Sequence, residues 1–223
     1  MVNLTPWEQE WVQIQEDLRQ SPGVRVFQDV RGDIREGDLL RDAGDSGGGP
    51  HFAQSLYGRS VRFSEIGSQW QTVEPYGFVV GEFFLTPLKQ AVHEDPPDFT
   101  SSFYSDEEQR IGQELRVIDD TPFTGAGSFT AIRLDPESTG SEVWFSDHLR
   151  GLWRMDLDYS TYVDLLRLTK GAFGWQHLFT QAPLEDEEFQ RTADRIVNML
   201  DALPQIFPDR DYTPLRKRWE ARL

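Results

Sequence analysis

The sequence predicts an α+β fold. Three observations carry this: a well-capped amphipathic helix at the start, a strand-rich middle, and helical segments gathered at the end, in runs rather than in strict alternation. A chain of 223 residues is long enough to bury a substantial core without covalent staples. Its 38% hydrophobic and 13% aromatic content belongs to a folded rather than a disordered protein. We expect a single domain over residues 1–223, with a Gly/Asp-rich loop at 31–51 and a C-terminal helical extension at 185–223.

The elements follow in order. Thr5-Pro6-Trp7-Glu8 supplies an N-cap hydroxyl, a proline at the first helical position and a glutamate at the capping-box position. Trp7, Trp11, Ile14 and Leu18 recur at helical spacing and form one apolar stripe, which packing against a sheet accounts for. Ser21-Pro22-Gly23 ends this helix. Residues 24–30 alternate weakly, as a short strand does. Residues 31–51 carry glycines, aspartates and arginines with little apolar content, and read as a long loop.

Strands are expected at 60–66, 69–73 and 76–85, punctuated by Pro75 and Gly77. Residues 94–100, with Pro96-Pro97, form a loop. Ser105 caps a helix running to about Leu115, with acids in its first turn. A strand at 116–118 and a turn region at 121–127 come next. Two strands follow, at 131–135 and from Glu142 to Phe145. Along the second, Trp144 points away from the face that Val143 and Phe145 share. Burial is the expected role of Trp144, Trp153 and Trp175. Asp158 caps a helix over 159–168. A last long helix spans 185–203, with Phe189, Ala193, Ile196, Leu200 and Leu203 on its buried stripe and Pro204 as its stop. The basic tail from Thr213 is a short helix.

Composition removes several function classes. There is no cysteine, so disulfides, thiolate nucleophiles and thiolate zinc sites are excluded. The net charge of −16, from 38 acidic and 22 basic residues, opposes phosphate backbones and attracts a basic partner. The most apolar stretch, residues 76–88, is too short to span a bilayer and contains Glu82. The N-terminus lacks a basic region followed by an apolar run. These readings give the expectation of a cytoplasmic protein that binds neither membrane nor nucleic acid.

Gly44-Asp45-Ser46-Gly47-Gly48-Gly49-Pro50 resembles the sequence around the nucleophile of chymotrypsin-like proteases, with one extra glycine. In those enzymes the histidine and buried aspartate precede the serine. Here His51, His93, His148 and His177 all follow Ser46, so a surface loop is the reading. No P-loop ending, zincin motif or calcium loop occurs. His148 and His177 are isolated in sequence, so no metal and no cofactor is expected. Leu184-Glu185-Asp186-Glu187-Glu188 is the densest acidic run; it complements a helix N-terminus and offers a surface to a basic partner.

Residues 129–179 carry a resemblance. The strand Ala131-Ile132-Arg133-Leu134-Asp135, the strand Gly140-Ser141-Glu142-Val143-Trp144, the helix Tyr159-Ser160-Thr161-Tyr162-Val163-Asp164-Leu165-Leu166, and Thr169-Lys170-Gly171 followed by Gly174-Trp175-Gln176 together resemble the SUKH superfamily. That superfamily includes bacterial immunity proteins and a fungal regulator of cell-wall synthesis. The resemblance implies a curved antiparallel β-sheet with packed helices. It also implies a non-enzymatic protein-binding module, an immunity protein that neutralises a basic, nuclease-type toxin domain by direct binding. A regulatory or scaffold role in the same superfamily is the alternative, and a carboxylate-dependent hydrolase is the alternative from another class. The acids expected to face a partner are Glu142, Asp147, Asp156, Glu185, Asp186, Glu187 and Glu188.

Overall fold

The computed structural model describes residues 3–35, 59–102, 104–134, 142–148 and 150–222. The glycine-rich segment 44–50, most of the expected loop at 31–51, and Asp135, Gly140 and Ser141 of the resemblance lie outside the described residues.

Among the described residues, seven strands form one open, curved antiparallel sheet in chain order: β1 (Val24–Arg31), β2 (Ile66–Thr72), β3 (Val80–Leu85), β4 (Leu115–Asp119), β5 (Phe129–Arg133), β6 (Glu142–Asp147) and β7 (Gly151–Arg154). Helix α1 (Pro6–Gln20) precedes the sheet; α2 (Leu88–Ala91) and α3 (Asp106–Glu114) lie between β3 and β4; α4 (Tyr159–Thr169), α5 (Gln190–Ile206) and α6 (Thr213–Glu220) follow it. The class is α+β.

Local chemistry sets the helix starts. Thr5 and Ser105 each close a capping box, with Glu8 and Glu108, and Asp158 accepts from the Thr161 amide. The α1 stripe of Trp7, Trp11, Ile14 and Leu18 is buried in the main core with Trp70, Phe83, Tyr162 and Trp175. α5 and α6 join the same core through Ile196, Met199, Leu203, Leu215 and Trp219. A smaller cluster of Phe99, Ile111, Leu115 and Ala131, with Trp144 against it, covers the other face of the later strands. Val143 and Phe145 belong to the main core, so Trp144 does point to the opposite face. Trp175 is fully buried, and Trp153 is half-buried.

Several boundaries depart from the sequence reading. Residues 60–65 are not a strand; Phe63 makes only a bridge to Ile34. Tertiary bonding overrides the alternation here. The Arg62 guanidinium grips the buried Glu8 carboxylate from Nε (2.8 Å) and Nη2 (2.7 Å), and its amide adds a third bond (2.9 Å). β3 begins at Val80 because residues 74–76 turn, and the Thr72 side chain bonds Gly77 O and Val79 N rather than leaving them to a ladder. The short α2 and β7 have no sequence signal. The last long helix begins at Gln190, after a 3₁₀ turn at Glu187–Phe189, and runs through Pro204 to Ile206. Proline there has no N–H to give the Leu200 carbonyl, and Arg216 Nη2 fills that vacancy at 2.6 Å.

The sheet is narrowest between β3 and β4, which share only the Leu85–Asp119 pair. Past that point β4 turns away. The segment after α4 takes its place: the Glu82 amide donates to Gly171 O (3.0 Å), and the Phe173 amide donates to Val80 O (2.9 Å). Lys170 (φ 53°) and Gly171 (φ 72°) make the left-handed turn that brings this segment onto β3. A cavity opens where the two partners of β3 part.

Candidate functional site

The cavity holds about 250 Å³ and is bordered by residues from β3, β4, β5, β6, the segment after α4 and α5. Buried acids come from two strands. Glu82 interrupts an otherwise apolar strand, and its two oxygens accept from the amides of Phe123 (2.6 Å) and Thr124 (2.9 Å). Asp119 lies past an irregularity in the β4–β5 register. Its Oδ1 accepts from the Phe84 amide (2.9 Å) and its Oδ2 from the Tyr162 hydroxyl (2.7 Å), which also meets Thr130 Oγ1 (2.8 Å). Burial pushes the Asp119 carboxyl up to about 7; these hydrogen bonds oppose that, and the nearby charges of Asp120 and Glu82 add to it.

A second group joins Asp147, Arg150 and His177. Asp147 Oδ2 lies 3.0 Å from His177 Nε2 and 3.0 Å from Arg150 Nη1. The carboxylate therefore holds the imidazole with its proton on Nε2. The rings of Phe145, Trp153 and Phe189 stand edge-on around the imidazole, which is itself buried. Gly174 (φ 95°) starts the 3₁₀ turn Trp175–Phe179 that carries Gln176 and His177 to the cavity. Arg150 reaches outward as well: Nε and Nη2 donate to the Glu188 carbonyl (3.2 and 2.9 Å), and its guanidinium lies over the Phe189 ring. This arginine ties the cavity to the acidic run.

The structure does not gather the expected partner-facing acids into one patch. Glu142 and Asp147 sit at opposite ends of β6. Glu142 is engaged by Arg133 (3.1 Å) and Arg154 (3.0 Å) and accepts from the Trp144 indole. Asp147 is inside the cavity cluster. Asp156 is exposed but pairs with Arg218 at 3.0 Å. Glu185, Asp186, Glu187 and Glu188 remain together and exposed, and none forms an ion pair among the described residues. Leu184 and Phe189, buried on either side, fix the turn that displays them.

Sequence reasoning does not single out Glu82, Asp119, Gln176 and His177 as a site. Asp147 and His177 are thirty residues apart in sequence, and no local pattern links them. Glu82 alone leaves a signal, as a charge in the most apolar stretch of the chain. Among the described residues no group of three or more His, Cys, Asp or Glu side chains is placed to hold a metal ion, and no helix is long and apolar enough to cross a membrane. No family model, no curated protein and no solved structure matches this chain.

Proposed function

We propose that this chain is a non-enzymatic protein-binding module of the immunity type, which binds a basic toxin domain and blocks it. The carrying observation is the exposed run Glu185, Asp186, Glu187 and Glu188, unneutralised among the described residues, in a chain of net charge −16. Four carboxylates on a turn anchored by Leu184, Phe189 and the Arg150–Glu188 bonds are presented without large ordering cost. Such a surface steers a basic partner and speeds encounter. A nuclease-type toxin that grips phosphate presents a basic surface of this kind. The resemblance of residues 129–179 to the SUKH superfamily supports the same class.

The hydrolase reading draws on Glu82, Asp119 and Asp147 around one cavity, but each carboxyl already accepts two hydrogen bonds from the protein or joins an ion pair. The test begins with affinity capture from the native lysate, eluted on a salt gradient. The expected result is one basic protein, toxic when expressed alone and harmless when co-expressed with this chain. Replacing Glu185, Asp186, Glu187 and Glu188 together by lysine is expected to weaken that complex at least about tenfold and to flatten its salt dependence. Unchanged affinity and unchanged salt dependence would remove the acidic run as the binding surface.

A further inference from the structure

The cavity at the parting of β3 and β4 is bordered by a polar group that no described residue serves. Gln176 is 8% exposed, its Oε1 has no hydrogen-bond partner among the described residues, and the residue borders the cavity. A buried acceptor without a donor is destabilising, so the site favours an occupant that donates N–H. Glu82 and Asp119, both buried, border the same space and hold further lone pairs for a donor.

The outer border has the opposite character. Arg195, on α5, is exposed and forms no ion pair among the described residues; its guanidinium lies 6.0 Å from the Phe173 ring. Arg150 does not compete, because Asp147 and the Glu188 carbonyl occupy it. A simple anion would meet Glu82 and Asp119, and a simple cation would share its space with Arg195. Phe129, Phe145 and Phe173 give the cavity apolar lining that a side chain can contact. The volume, about 250 Å³, is slightly below the range for drug-sized ligands.

We propose that this cavity binds a free amino-acid zwitterion, its ammonium inward against Gln176 Oε1 and its carboxylate outward on Arg195. The proposal is independent of the toxin-binding reading, although Arg150 links the border of the cavity to the acidic run through the Glu188 carbonyl.

The intact chain is titrated with each common L-amino acid in turn by isothermal calorimetry and ligand-observed NMR, and every hit is repeated with its decarboxylated amine. At least one amino acid is expected to bind saturably, with its amine at least about tenfold weaker. Arg195→Glu is expected to weaken the amino acid by about tenfold or more, and Gln176→Leu to abolish binding. Arg195 is exposed, so its replacement leaves the fold intact and carries the test even where Gln176→Leu does not fold. Three results would each overturn the proposal: no saturable binding by any amino acid, an amine that binds as tightly as its parent, or an affinity unmoved by Arg195→Glu.

Discussion

At Asp119, burial raises the carboxyl to about 7, while the Tyr162 hydroxyl and the Phe84 amide favour the charged form. An aspartate titrating near 4 when unfolded and near 7 when folded holds more protons in the fold between those values. Its contribution to stability is complete below about pH 4 and is lost as the pH rises through 7. The loss amounts to a few kcal/mol, since each tenfold change in proton affinity is worth about 1.4 kcal/mol. Asp119→Asn keeps an acceptor and cannot ionise. Urea unfolding of both proteins at pH 5 and pH 8 should show the wild type losing ground to the variant as pH rises; parallel pH profiles would contradict this account. None of this was legible in the sequence, where Asp119 is one of two adjacent aspartates before a turn. Its environment is made by Tyr162, forty-three positions away. Thr5, Ser105 and Asp158 were legible, because a cap and its partner lie within three residues.

Elements whose signals are local were readable, and elements made by distant partners were not. α1, α3 and α4 announce themselves through caps and apolar spacing. The stretch at 60–65 alternates like a strand but is claimed by the Glu8 carboxylate. Pro204 reads as a stop; Arg216 on α6 makes it a tolerated interior residue. The segment after α4 shows the same dependence most sharply. A Cβ at Gly171 would lie 2.1 Å from the Glu82 carbonyl oxygen, and the residue also has positive φ. Gly171→Ala should therefore destabilise the chain by roughly 3 kcal/mol or more, from the left-handed backbone and the clash together. Chemical denaturation measures it, and a change below about 1 kcal/mol would mean that this segment does not depend on close approach to β3.

For the molecule as a whole, the class was legible from the run of elements, since adjacent strands in sequence are adjacent in the sheet. The parting of β3 from β4 was not, because no residue pattern marks where a ladder stops. Charge is the other global property. A net charge of −16 repels itself across the surface, and salt screens that repulsion within a Debye length of about 10 Å at 0.1 M. Raising NaCl from about 10 to about 200 mM should raise Tm by roughly 2–4 °C, equivalent to about 1 kcal/mol for a chain of this size. A fall in Tm would mean that the arginine–carboxylate pairs outweigh the repulsion. The shared edge of β3 carries one more implication, for synthesis. β1, β2 and β3 can pair as they leave the ribosome, but the amide of Glu82 and the carbonyl of Val80 find their partners only when Gly171 and Phe173 have emerged. Until then the nascent chain exposes half a strand edge beside apolar Phe83, the kind of surface on which chaperones act and unfinished chains associate.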